Sequence, residues 1–319
     1  MQALVFESTG TAEVLHMHEA TDPIPAADEL LVAVTAAGLN FADIYRRQGR
    51  YPLAGNSPYI AGYEGAGRVI AVGENVKGWK AGDCVGFADV PLAHASHIRV
   101  PAEHAIRLPE WLSESDAAAV LLQGLTADYL LHDVLPLRAG MHVAVLAAAG
   151  GVGRLLLQML KHQGLHEFAD AYNQDKPAAC LELGAEDAGG YDTWAKEVRD
   201  WPGGGLEVVF DSVGTTLTES LDSLKDGGRV VLFGMSGGAL SACDPSRLQL
   251  NSHGILGADL WTYLTSGEER QRRADRLFAL IEEGKVTLPP VTEFALSSGA
   301  QAHRLLETRS FSGKIILKP

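Results

Sequence analysis

Apolar residues in this chain follow two different rhythms, and the change between them marks how the chain is organised. Up to about residue 120 they come in short runs broken by glycine and proline, at 29–37, 67–72 and 97–100. Runs of that length separated by turn residues predict a β-rich, barrel-like unit. One helix is expected within it, from Asn40 to about Gln48. From residue 142 onward, strand-like and helix-like segments alternate. Strands are expected at 142–146, 167–171, 207–211, 229–234 and 254–258, with helices at 153–162, 175–183 and 216–224. Repeated strand–helix units imply a parallel sheet covered by helices on both faces. The stretch 185–205 has no clear pattern, so a strand there has to be short. Beyond Leu264 the alternation stops. A charged helix at 268–283, a strand at 291–296, a helix near 297–308 and a final strand at 314–317 predict a C-terminus that returns to the first region.

The most informative local pattern is His142-Val-Ala-Val-Leu-Ala-Ala-Ala-Gly-Gly-Val-Gly153, an apolar strand running into a turn of small residues and then into a helix. Ala148, Gly150 and Gly153 occupy the three positions of a G-x-G-x-x-G fingerprint, with alanine in place of the first glycine. Small residues there let a pyrophosphate approach the backbone and sit on the positive end of a helix. The pattern alone is weak, but a strand before it and a helix after it are the context it requires. A dinucleotide site is the favoured reading over a plain tight turn.

Composition narrows the partners. The 319-residue chain has 46% hydrophobic and 21% charged residues, ordinary for a globular protein of up to two domains. A net charge of −14 argues against nucleic acid or an anionic membrane surface as a partner. No uninterrupted apolar run reaches the length of a membrane span. Cys84, Cys180 and Cys243 are widely spaced and odd in number, which suits reduced thiols in a cytoplasm better than a disulfide framework.

Several separated motifs together resemble one family. They are Ala36-Ala-Gly-Leu-Asn-Phe-Ala-Asp43, Gly62-Tyr-Glu-Gly-Ala-Gly67, Leu122-Gln-Gly-Leu-Thr-Ala127, Ala147-Ala-Ala-Gly-Gly-Val-Gly153, Asp211-Ser-Val-Gly214, Phe233-Gly234 and the terminal Ser312-Gly-Lys-Ile-Ile-Leu-Lys-Pro319. In this order they resemble the zinc-free quinone oxidoreductases of the medium-chain dehydrogenase/reductase superfamily, across essentially the whole chain. The resemblance implies an α/β fold: a GroES-like β-barrel catalytic domain at 1–121 and 265–319, and a Rossmann-type parallel-sheet domain at 122–264. It also implies hydride transfer from a nicotinamide to a quinone or an α,β-unsaturated carbonyl compound.

The zinc-dependent branch of that superfamily would have a cysteine at Asn40 and a histidine at Tyr63, and neither residue present is a good zinc ligand. No Cys-x-x-Cys spacing exists for a structural zinc either. The pair His94 and His97, with His104 nearby, is a poor chelate, since i and i+3 on a strand face opposite ways. No metal is expected. Without one, the oxygen that becomes negative on reduction needs uncharged hydrogen-bond donors. Asn40, Tyr45, Tyr51 and Tyr63 can supply them, and the resemblance places the first three beside the acceptor. Asp43 is expected to make a structural hydrogen bond or ion pair.

For the cofactor, the resemblance carries Thr126 to the nicotinamide side, and Gly150, Gly151, Val152 and Gly153 to the pyrophosphate. It carries Lys176 and Tyr191 to the adenosine end, Phe233, Gly234 and Ser236 beneath the nicotinamide, and Lys314 to the cofactor edge. The segment 167–177 departs from the family. Glu167 and Asp170 put carboxylates on the second strand and bulky Tyr172 follows, a pattern that favours the ribose diol of NADH. Lys176 favours the extra phosphate of NADPH. NADPH is the leading expectation and NADH the alternative. A rival class, a cofactor-binding structural or regulatory protein with little catalysis, draws support from the altered segment and opposition from the intact 40–51 region. A homodimer is expected through the apolar edge strand near 254–258.

Overall fold

The computed structural model describes residues 1–171, 176–190, 193–309 and 311–319, and of Lys176 only the backbone. The chain divides into two compact units, one of Met1–Leu125, Leu264–Ala279 and Leu288–Pro319, the other of Thr126–Tyr263 and Leu280–Thr287.

The first unit is built on a seven-stranded sheet. Along it lie Val291–Ala295, Lys314–Lys318, Glu29–Gly38, Glu64–Val72, Cys84–Ala88 and Ala105–Arg107, with His97–Pro101 paired to Glu29–Gly38. Glu29–Gly38 shows why these segments are strands. Leu30, Val32 and Val34 alternate inward and are buried while Glu29, Leu31 and Ala33 are half-buried and Thr35 is exposed, the period-two pattern of a strand with one face on a core. Those side chains meet Val85, Phe87, Ile98, Val100, Ile315 and Leu317 in one apolar cluster. The final strand pairs antiparallel with Glu29–Gly38, Ile316 opposite Gly38, so the C-terminus does return to the first region. A smaller sheet, His16–Glu19, Gln2–Phe6 and Tyr59–Ile60, adds strands that the apolar pattern did not announce.

The largest element missing from the sequence reading is the helix Glu114–His132, 19 residues long. From Ala117 to Leu131 nearly every residue is buried, so the helix has no polar face and no 3.6-residue rhythm to detect. The division between the two units falls within it, at Leu125 and Thr126.

The second unit carries a six-stranded sheet in the order Asp187–Gly190, His166–Ala171, His142–Val145, Leu206–Asp211, Leu224–Leu232 and Gly254–Gly257. Every pairing is parallel. Counted along the chain this is strand order 3-2-1-4-5-6, a doubly wound sheet that reverses direction between His142–Val145 and Leu206–Asp211. The unclear stretch 185–205 resolves into a four-residue edge strand and the helix Trp194–Asp200, whose Trp194 and Val198 pack on Phe168 and Leu206. The strand expected at 229–234 begins earlier, at Leu224. The helix expected at 216–224 is confined to Leu217–Asp222.

Candidate functional site

The fingerprint folds as a strand, a turn and a helix. His142–Val145 ends, Ala147 takes a left-handed φ of 52°, and the helix Gly151–Lys161 begins with Gly150 as its N-cap. Gly150 N–H donates to the Ala147 carbonyl at 2.9 Å, closing the turn. A Cβ on Gly153 would lie 2.7 Å from both the Ala147 oxygen and the Ala148 Cα, so only glycine lets the helix start this close to the strand. Gly150 has no side chain to cap the helix, which leaves its first N–H groups without a cap from that residue. A glycine turn packed this tightly and uncapped helix donors fit a pyrophosphate.

A second loop lies beside this turn at the point where the sheet reverses. Asp211 is fully buried, and its carboxylate receives the Val213 and Gly214 N–H groups at 2.8 and 2.9 Å and the Thr216 and Ser220 hydroxyls at 2.9 and 3.0 Å. Four donors on one carboxylate fold Asp211-Ser-Val-Gly214 into a fixed turn. The Ser212 hydroxyl reaches the Leu146 carbonyl in the fingerprint turn at 3.3 Å. The segment after Leu232 runs alongside: Phe233 N–H donates to Asp211 O, and both N–H and hydroxyl of Ser236 donate to Ser212 O. Phe233, Gly234 and Ser236 are thus brought to the same crevice as Gly150–Gly153, the place where open parallel sheets bind ligands. Thr126 is buried in the long helix.

At the end of the second strand the two acidic residues separate. His166–Ala171 places Glu167 and Ala171 on one face and Phe168 and Asp170 on the other. Both carboxylates are buried. Burial pushes the Glu167 carboxyl up to about 7, with Glu186 adding to the rise. Tyr172 and Tyr191 lie outside the described residues, as does the side chain of Lys176, whose backbone opens the helix Lys176–Glu182.

In the first unit the helix Phe41–Arg47 collects the expected acceptor groups. Asp43 reaches back to accept the Asn40 N–H at 2.8 Å and fixes the start of the helix, its expected structural role. Past the helix, Tyr51 folds back so that its ring meets the edge of Tyr45 at 5.2 Å between centroids. Arg46, buried and absent from the sequence reading, lies 3.4 Å over the Tyr63 ring and 5.6 Å from the centre of the Tyr51 ring. Tyr51 and Tyr63 therefore share one guanidinium, and Tyr45 joins them through the Tyr51 ring. Burial raises the Tyr63 hydroxyl above its ordinary pKa against the opposing pull of Arg46, so it remains a neutral donor at neutral pH.

Asn40 and Lys314 come together where the sequence reading had set them apart. Lys314, expected at the cofactor edge, is buried, and its Nζ donates to Asn40 Oδ1 at 2.9 Å and Glu64 Oε2 at 2.6 Å. Glu64 was missed. An acid opening the apolar strand 64–72, matched by a lysine opening the apolar strand 314–318, was the available signal.

The histidines considered as metal ligands diverge. His94 Nε2 lies 3.2 Å from Gly38 O, His97 Nδ1 lies 3.1 Å from Ser96 Oγ, and His104 Nδ1 lies 3.0 Å from Asp89. Among the described residues no group of three or more His, Cys, Asp or Glu is placed to hold a metal ion. At Asn40 and Tyr63 the residues do not fit zinc, because each is held against a cation, Lys314 or Arg46.

A GroES-like strand unit joined to a doubly wound sheet with this glycine turn defines an oxidoreductase of the medium-chain dehydrogenase/reductase class. Two family descriptions match: "Alcohol dehydrogenase GroES-like domain" over residues 26–134 and "Zinc-binding dehydrogenase" over residues 183–317. A probable quinone oxidoreductase of Schizosaccharomyces pombe is 37% identical, covering 97% of this chain and 94% of its own. A 2-haloacrylate reductase of Burkholderia is 31% identical, covering 100% and 99%. The quinone oxidoreductase of Escherichia coli, solved in complex with NADPH, superposes with a TM-score of 0.96 at 34% identity over 100% of both chains. The chain belongs to the quinone oxidoreductase family of that superfamily.

Proposed function

We propose that this protein is a zinc-independent, NADPH-dependent reductase of quinones or of other conjugated carbonyl acceptors. The observation that carries the proposal is the pairing of two features: a glycine turn fit for pyrophosphate in the second unit, and neutral donors (Asn40, Tyr45, Tyr51, Tyr63) gathered around buried cations in the first. A bound dihydronicotinamide supplies a hydride. The residues of this chain do the rest. Gly150, Gly151, Val152 and Gly153 hold the pyrophosphate on a helix N-terminus, and Phe233, Gly234, Ser236 and Thr126 line the nicotinamide end. Asp170, Tyr172, Lys176 and Tyr191 bind the adenosine portion. The phenols and the Asn40 amide, fixed beforehand by their packing, donate hydrogen bonds to the acceptor oxygen as negative charge develops on it. Residues 1–121 and 265–319 form the acceptor-binding domain and 122–264 the dinucleotide-binding domain; the compact units follow this division except at 122–125 and Leu264, which group with the first, and Leu280–Thr287, which group with the second.

The direct test follows NADPH oxidation with a benzoquinone and with an α,β-unsaturated ketone, in protein stripped by a chelator. Turnover of either class at undiminished rate is expected. No oxidation with either, or a rate restored only by zinc, would falsify the proposal.

Two further properties belong to this reading. The strand Gly254–Gly257 forms the end of the parallel sheet, and its partly exposed Ile255 and Leu256 favour pairing with a second copy. Sedimentation at micromolar concentration is expected to give about twice the 34.0 kDa chain mass; a species of chain mass alone sinks the dimer. Free Cys84, Cys180 and Cys243 favour the cytoplasm, and no helix of the described residues is long and apolar enough to cross a membrane.

A further inference from the structure

We infer that Glu64 and Lys314 form a buried positioning pair that sets which end of the Asn40 amide faces the acceptor. Glu64 is 0% exposed and Lys314 1%, with 2.6 Å between Nζ and Oε2. Both also hold Asn40: its Nδ2 donates to Glu64 Oε2 at 2.8 Å, and its Oδ1 accepts from Lys314 Nζ at 2.9 Å. A second donor, Gln123 Nε2, reaches Oδ1 at 3.3 Å. The other oxygen of Glu64 accepts the Leu122 N–H at 2.7 Å, which ties the carboxylate to the long helix.

The chemistry of these contacts leaves only one orientation for the amide. A carboxylate only accepts and an ammonium only donates. Rotating the amide by half a turn would press its carbonyl against Glu64 and its NH₂ against Lys314, replacing two charge-assisted hydrogen bonds with two repulsions. The amide oxygen is therefore committed inward. Asn40 offers the acceptor an N–H and never a carbonyl, and the N–H not bound to Glu64 is the one available. Lys314 also strengthens that donor, because a cation donating to the amide carbonyl draws charge from the nitrogen, and hydrogen bonds in a chain polarise one another in a low-dielectric site.

The backbone makes room for the pair. A Cβ on Gly38 would fall 2.2 Å from Glu64 Oε2 and 2.5 Å from the Ala118 carbonyl, so the strand Glu29–Gly38 has to end in glycine for the carboxylate to enter. Replacing a buried ion pair with apolar residues is often neutral or stabilising, so stability alone does not account for one placed here. Orientation of Asn40 does. The inference rests on the proposed role of Asn40 at the acceptor, and it gives Lys314 a positioning role in place of a cofactor contact.

The test is a double-mutant cycle of Glu64→Gln with Asn40→Ala, read three ways: kcat with a quinone at saturating NADPH, the Kd for NADPH by fluorescence, and the Asn40 side-chain amide signal in ¹⁵N-asparagine-labelled protein without substrate. In wild-type protein one Asn40 amide proton is expected to resonate downfield and exchange slowly. In Glu64→Gln that signature is lost, and kcat falls about 100-fold, the size of a lost oxyanion donor, with Kd changed less than about threefold. In the Asn40→Ala background the same Glu64 change has no further effect on kcat, because its route of action is already gone. Additive losses in kcat, or an unaltered amide signal in Glu64→Gln, overturn the inference. Should Glu64→Gln not fold, Glu64→Gln with Lys314→Met removes both buried charges together and serves in the same cycle. A wild-type protein that shows the amide signature but turns over no acceptor would defeat the proposed function and leave the positioning pair standing.

Discussion

Two strands flank His142–Val145 in the parallel sheet, and each buries a carboxylate in a different way. On one side Leu206–Asp211 ends in Asp211, whose two oxygens receive four donors from the turn that follows. On the other, His166–Ala171 carries Glu167 in its second position, opposite Val143, with Oε1 matched by no donor among the described residues. Burial is nearly the same, 0% exposed against 1%. What differs is the supply of hydrogen-bond donors. Asp211 sits where a loop begins and free N–H groups converge on it, whereas Glu167 sits within the ladder, where neighbouring strands take most backbone donors and its carboxyl draws on its own N–H. A buried charge at a strand's end can organise a site; the same charge inside a strand burdens it.

The largest effect that would break this comparison is at Asp211. Asp211→Ala leaves two N–H groups and two hydroxyls buried without their acceptor, and is expected to cost about 3–5 kcal/mol. The ordered loop beside the fingerprint turn is lost with it. Urea unfolding gives the first figure, and NADPH titration is expected to show affinity falling at least about tenfold. A variant as stable as wild type would show that the four hydrogen bonds do not hold the turn.

Glu167 carries the next effect, and its sign is opposite. Its carboxyl is raised to about 7 from 4.5, burial being the leading cause. The folded state therefore holds a proton that the unfolded state releases. The resulting stability is fully present below about pH 4.5 and is lost as pH rises through about 7. A rise of that size corresponds to about 3 kcal/mol. Histidines complicate the raw profile: His142 and His303 are held below their ordinary pKa by burial, so they make the folded state more stable as pH rises. The difference between wild type and Glu167→Gln isolates the carboxyl. The variant is expected to gain on wild type between pH 5 and pH 8 by up to about 3 kcal/mol. Equal unfolding free energies for the two proteins at both pH values would contradict the shift.

The same contrast explains what could be read from the chain. The fingerprint turn was legible because its requirements are local: small residues at Ala148, Gly150 and Gly153, a strand before and a helix after. The parallel sheet followed from alternation, and the C-terminal strand from its break in rhythm. The helix Glu114–His132 was not legible, since complete burial removes the polar face that reveals a helix. Arg46 did not stand out in the sequence, because only folding back of Tyr51 and approach of Tyr63 place it against two rings. Glu64 and Lys314 stand 250 positions apart, and nothing in either neighbourhood names the other. Sequence reveals groups that act through backbone shape more readily than groups that act through distant partners.

Glu186 lies beside Glu167 and is paired with His166 at 2.9 Å on the surface, both partners more than two-fifths exposed. Breaking so exposed a pair with Glu186→Gln is expected to change stability by less than about 0.5 kcal/mol. The titration of Glu167 should respond all the same. Glu186 raises the Glu167 carboxyl while His166 and Lys161 lower it, so removing the Glu186 charge leaves the lowering groups unopposed. The midpoint of Glu167, followed by ¹³C-carboxyl NMR, is expected to fall by a few tenths of a pH unit and to stay well above 4.5, because burial is the larger cause. A midpoint that collapsed to the ordinary carboxylate range would assign the shift to repulsion between two acids, and Glu167 would cease to be the counterpart of Asp211.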